Sequence, residues 1–201
     1  MNLKFVVNDY VLIWNLLFQA SISEKIHKLK QKLWINYKKE YNMTYRDKDL
    51  MLKDPKNFIP NDDSIYNIVL ETKEYEKIKK ETEKYRNQVL KIWDDNKKEA
   101  TKIIKAITRL ESKAYQILVV SDHLDMIDIT TAKDAKVNTV ILGKKVTEDS
   151  SIKLLVELVY KILKKELKDY KVEYKEIVEA AIELATVSYT HLRAHETGRN
   201  L

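Results

Sequence analysis

Apolar and polar positions alternate briefly at Leu3-Lys-Phe-Val-Val7, the period of a short strand. Asn8 or Asp9 can cap a following helix by accepting from its free N–H groups. Val11, Leu12, Trp14, Leu16 and Phe18 then lie nearly all round that helix, which predicts that it is buried. Ser21 and Ser23 offer a second cap. Ile26, Leu29, Leu33, Trp34 and Tyr37 mark one face of a helix expected to run to about Tyr41. Residues 42–63 break the periodicity with Asn42, Asp54-Pro55, Ile59-Pro60 and Asn61-Asp62-Asp63, and read as a connecting loop with room for a short helix at Asp47–Lys53.

The longest pattern follows. Ile65, Ile68, Thr72, Tyr75, Ile78, Thr82, Tyr85, Val89, Ile92, Asn96, Ala100, Ile103, Ile107 and Leu110 keep spacings of three and four. This predicts one long amphipathic helix or two in series, with Asp94-Asp95-Asn96 as the expected break, because these residues cap better than they propagate. Its apolar face, over residues 64–110, is either a coiled-coil surface for a protein partner or the inner face of a helix packed on its own chain. Thr, Tyr and Asn dilute the seam and favour the second reading.

Tyr115–Ser121 and Val137–Gly143 are β-branched runs of strand length, and Met126–Thr130 is a candidate third. The segment between the first two barely accommodates a parallel crossover, so an antiparallel or mixed sheet is expected. Ile117, Val119, Val140 and Leu142 should be buried in it. Thr147–Ser151 should cap a helix with Ile152, Leu155, Val156, Val159, Ile162 and Leu163 on one face. A last helix carries Val172, Ile177, Val178, Ala181 and Ile182. The fold class is therefore α+β, mostly helical, with one long amphipathic helix and a small mixed or antiparallel sheet.

Val187-Ser-Tyr-Thr-His-Leu-Arg-Ala-His-Glu-Thr197 resembles one reading frame of a transposon-derived sequencing adapter, with no mismatch. The resemblance implies that residues 187–201 are a non-natural tail. Residues 1–185 are then a single domain truncated at its C-terminus. Removing the tail takes away Arg193, Arg199 and Glu196 and lowers the net charge of +6 by one. Only Arg46, Arg86 and Arg109 then remain as arginine beside many lysines. Phosphate and base recognition favours the planar guanidinium, so nucleic acid is disfavoured as a partner. The lysine bias, with abundant Asn, Ile and Tyr, points instead to AT-rich coding in a bacterium or phage.

Composition excludes much chemistry. With no cysteine, disulfides, iron–sulfur clusters and Cys-based zinc sites cannot form. Outside the tail, Gly143 is the one glycine, so the Gly-rich loops that cradle phosphates cannot be built. The apolar stretch Phe5–Ala20 is too short and too polar to cross a bilayer, and a cytoplasmic location without membrane attachment is expected. No cofactor and no metal site is expected.

Three candidate constellations remain. Ser121-Asp122-His123-Leu-Asp125 follows a strand, where open sheets place reactive groups, and Asp122, His123 and Asp125 could move a proton or bind a metal. A polar turn has the same composition. His27 on its helix reads as structural, and the Glu71–Lys84 run as a solvated face. The order of the strand Val137–Gly143, the helix 150–167 and a helix with Glu179 and Glu183 is similar to the core of gluzincin metallopeptidases. There an edge strand aligns substrate, the next helix carries H-E-x-x-H, and a later helix supplies a glutamate. Val156-Glu157-Leu-Val-Tyr160 would occupy the motif, with Glu157 its one match, so the resemblance implies an inactive relative. Two functions follow as expectations. The first is a non-enzymatic interaction or structural domain. The alternative is a degenerate metallopeptidase-like domain, or a hydrolase whose decisive motif is lost or lies at Asp122, His123 and Asp125.

Overall fold

The computed structural model describes residues 1–108, 113–130, 135–146 and 151–168. The elements run β1 (Asn2–Val6), α1 (Asp9–Phe18), α2 (Glu24–Asn36), α3 (Lys38–Tyr45), α4 (Lys48–Lys53), α5 (Tyr66–Leu70), α6 (Lys73–Thr108), β2 (Ala114–Val119), β3 (Met126–Ile129), β4 (Thr139–Gly143) and α7 (Ser151–Lys168). The protein is α+β and mostly helical, with a small mixed sheet. It divides into two compact units. The first holds residues 2–88 and 114–145, and the second holds Met1 with the described residues of 89–113 and 146–168.

In the first unit the sheet order is β1-β2-β4-β3. β1 pairs with β2 and β2 with β4 in parallel, while β3 runs antiparallel to β4 on the edge. The parallel pairing of β2 with β4 was the arrangement that the short connection seemed least able to hold. It holds because that connection contains β3, which turns back along the far side of β4. Ile117, Val119, Val140 and Leu142 are buried, and so are Leu118 and Ile141, which alternate with them. Both faces of the central strands are thus covered, as their continuous apolar runs require.

Leu118, Val120 and Ile141 share a core with α1. That helix is capped by Asn8, whose side chain accepts from Val11 N, and it buries Val11 through Leu17 without interruption. It touches α2, α3, α4 and α5, which explains why its sequence is apolar all round. Ser23 stands at the N-cap of α2 without a side-chain cap bond. Ser21 instead accepts from Ser23 N at 3.1 Å. The helix expected to reach Tyr41 stops at Asn36. Tyr37 leaves helical geometry, and a separate helix runs to Tyr45.

Between α3 and α5 lies a polar knot. Thr44 Oγ1 accepts from Ile65 N at 2.9 Å, and Asn61 Nδ2 donates to Asp47 Oδ1 at 3.1 Å. Asp47 is 2% exposed, and its Oδ2 has no hydrogen-bond partner. Burial raises its pKa, and the Asn61 bond offsets this in part.

The long helix interrupts at Glu71–Thr72, where Thr72 Oγ1 accepts from Tyr75 N at 3.2 Å as a cap. It continues through Asp94-Asp95-Asn96, where the sequence suggested a break. Asn96 Nδ2 donates to Ile92 O at 2.8 Å, Lys97 pairs with Asp94 at 2.9 Å, and Trp93 and Ala100 are buried on either side. Tyr75, Ile78, Thr82, Tyr85, Val89, Trp93 and Ala100 are all buried, so the face is covered at these positions. Trp93 holds the place given to Ile92, which is only half-buried.

In the second unit, α7 buries Leu154, Leu155, Leu158, Val159, Ile162 and Leu163. Val156, expected on that face, is half-buried at its margin. Glu166 Oε1 accepts from Lys113 N at 3.1 Å. Residues 147–150 of the expected cap, the helix carrying Val172 to Ile182, Glu179 and Glu183, and the 187–201 tail lie outside the described residues.

Candidate functional site

β1, β2 and β4 are parallel, so their carboxyl ends share one edge of the sheet, where open sheets place ligands. β2 delivers the Ser121–Asp125 turn there. Ser121 Oγ accepts from His123 N at 3.4 Å, Ser121 O accepts from Leu124 N at 3.1 Å, and Leu124 is buried as the anchor. Asp125 then turns the chain into β3 with φ 45°, the one non-glycine residue with positive φ among the described residues. Aspartate tolerates this left-handed geometry better than most side chains.

The structure brings two of the three sequence candidates close. His123 Nε2 stands 4.0 Å from Asp122 Oδ1, beyond hydrogen-bond length, with both side chains partly exposed. Asp125 is exposed at the corner. Among the described residues, no three His, Asp or Glu side chains converge in a way that could hold a metal ion. The main chain of His123 ties the turn to the α1–α2 loop, because its carbonyl accepts from Ile22 N at 3.3 Å and from Ser21 Oγ at 3.4 Å. His27 braces the same loop, with its Nε2 2.6 Å from Ser21 O, while Lys30 donates to Gln19 O. The structural reading of His27 therefore holds.

A second group of polar side chains at this edge escaped the sequence reading. Asp9 opens α1 directly after β1. Its carboxylate accepts from Tyr75 Oη at 2.6 Å and from Lys79 Nζ at 2.9 Å. Burial and the neighbouring Asp9 carboxylate push the Tyr75 phenol far up from its ordinary pKa. Tyr85 Oη donates to Lys144 O at 2.7 Å and accepts from Lys144 N at 3.1 Å, so it pins the end of β4. Burial raises its pKa, and the charge of Asp122 adds to that. Tyr75 and Tyr85 belonged to the apolar seam by spacing. Nothing local marks a seam tyrosine as one whose hydroxyl finds a strand end.

The strand assigned to the substrate-aligning edge in the gluzincin comparison is β4, which is interior, with β3 outside it. Val156, Glu157 and Tyr160 are all half-buried on α7, with Lys164 Nζ 6.0 Å from the Tyr160 ring centre. No protein-family model, curated protein or solved structure matches this chain. Among the described residues, no helix is long and apolar enough to cross a membrane.

Proposed function

We propose that this protein is a non-enzymatic interaction or structural domain, located in the cytoplasm. The observation that supports this reading is the internal engagement of the carboxyl-edge groups. The Asp9 carboxylate is held by Tyr75 and Lys79, and the Tyr85 phenol is bonded in both directions to Lys144. The 121–125 turn is fastened through its backbone. A general acid or base needs a lone pair or proton free to meet substrate, and Asp9, Tyr75 and Tyr85 spend hydrogen-bonding capacity on the fold instead. The rival reading is a hydrolase centred on Asp122, His123 and Asp125. It draws on the partly exposed Asp122 and His123 side chains at a strand end.

The test compares the purified parent with His123→Ala, measuring bound zinc by elemental analysis and turnover of p-nitrophenyl esters. The expected result is no stoichiometric zinc, no turnover above buffer, and a melting temperature unmoved by added zinc, since tight binding to the folded state would raise it. One zinc per chain, or ester turnover, lost in His123→Ala would overturn this reading.

A further inference from the structure

Five aromatic rings form one continuous row across α1, α2 and α3. Trp34 meets Tyr41 at 5.3 Å, Tyr41 meets Phe18 at 4.9 Å, and Phe18 meets Tyr45 at 5.2 Å. Trp14 closes the far end against Phe18 at 5.1 Å and Tyr45 at 6.3 Å. The middle is fixed, because Tyr41 Oη donates to Leu17 O and Trp14 Nε1 donates to Tyr45 O. The row surfaces at two places: Trp34 is 43% exposed and Tyr45 61%. Tyr37, between α2 and α3, is exposed as well. Rigid, part-exposed Trp and Tyr side chains have the composition of interface hot spots.

Charge indicates the occupant. Lys38 Nζ lies 5.3 Å from the Trp34 ring centre, and Lys48 Nζ lies 5.1 Å from that of Trp14. Neither lysine, nor Arg46 between them, has a carboxylate partner among the described residues. The neighbouring lysines 25, 28, 32 and 39 are each paired. Residues 24–50 are rich in Lys and Arg relative to Asp and Glu. A second copy of the chain would bring the same uncompensated cations to this face, so self-pairing is opposed. An inserting membrane contact would need side chains standing free of the surface. Trp34 is instead set edge-on against Tyr41 at 90°, and Tyr45 against Phe18 at 73°.

We infer that Trp34 and Tyr45, flanked by Lys38, Arg46 and Lys48, form a docking surface for an acidic amphipathic segment of another protein. Its apolar side chains pack on the ring edges and its carboxylates meet the unpaired cations, which supply selectivity and salt dependence. This rests on the interaction-domain reading and gives its partner a chemistry.

The test titrates the full chain with four probes: a synthetic helical peptide with Leu on one face and Glu on the other, its Glu→Lys counterpart, phosphatidylserine vesicles and single-stranded oligothymidylate. The acidic peptide is expected to bind with a Kd on the order of micromolar, weakening as salt rises, while the other probes do not bind. Trp34→Ala should weaken binding about tenfold. Lys38→Glu, a charge reversal on an exposed side chain, should weaken it similarly even if Trp34→Ala perturbs folding. No binding of the acidic peptide, binding indifferent to both substitutions, or Trp34-dependent binding to vesicles or oligonucleotide would overturn the inference. Zinc or ester turnover at His123 would overturn the functional reading alone. Failed docking without turnover would remove only this surface.

Discussion

The Ser121–Asp125 turn and the aromatic row on α1 to α3 put opposite materials to opposite uses. The turn carries side chains capable of chemistry, yet its main chain does the visible work, through Ser21, Ile22 and the Ser121 cap. The row is built of residues whose composition belongs to a core, yet it surfaces at Trp34 and Tyr45, beside cations that no carboxylate among the described residues pairs. Residue type alone therefore does not tell which atoms of a segment the fold engages. What matters is whether an atom's bonding capacity is already taken inside the fold. The backbone of the turn has partners there, while the Asp122 and His123 side chains stand 4.0 Å apart and partly exposed. A large ring left half in water, beside an ammonium with no acid, has capacity to spare.

The sharpest way to break the comparison lies behind the turn. A Cβ at Gly143 would stand 2.6 Å from Ser121 O and 2.6 Å from Val120 Cγ2. Gly143→Ala must push β4 from the start of the turn, costing about 3 kcal/mol as overpacking against backbone. Urea denaturation reads this directly, and acidic-peptide binding at the aromatic row should be unchanged in the folded fraction. A parent-like urea midpoint would mean that β2 and β4 do not approach so closely.

Next in size is the Asp9 cluster. Tyr75→Phe deletes a 2.6 Å hydrogen bond to a carboxylate and leaves Asp9 with Lys79 alone. We expect a loss of about 2 kcal/mol, typical of a bond to a charged group. Lys79→Ala should cost less than about 1 kcal/mol and shrink further in salt, because that ion pair is about a third exposed on both sides. Equal losses in the two variants would show that the phenol does not hold the carboxyl edge.

The smallest effect sharpens the other side. Asp47 is buried below the α3–α4 corner that also carries Tyr45, and burial raises its pKa above the ordinary 3.8. The native state then favours the protonated carboxyl, so stability falls as pH rises above 3.8 and stays lower at neutral pH. Asp47→Asn keeps an acceptor for Asn61 without the charge. It should stabilise the fold by about 1 kcal/mol at pH 7, with the gap to the parent closing as the pH drops toward the ordinary aspartate value of 3.8. A variant less stable than the parent at pH 7 would mean that the charge itself holds this corner.

What the sequence determined by itself was local. Alternation marked β1, the β-branched runs marked β2 and β4, and Asn8-Asp9 announced a cap for α1, which Asn8 makes. The all-round apolar pattern of α1 foretold its burial, because a helix with no polar face has nowhere else to go. Each of these depends on residues within a few positions of one another. Tertiary structure decided the rest. It set β2 parallel to β4 with β3 outside, carried α6 through Asp94-Asp95-Asn96, and ended α2 at Asn36. It also joined Asp9 to Tyr75 and Tyr85 to Lys144, and let the row of rings surface at Trp34 and Tyr45. Those outcomes turn on which surfaces meet across tens of residues. Strand pairing and side-chain partnership are fixed by packing at long range, and local periodicity holds no record of it.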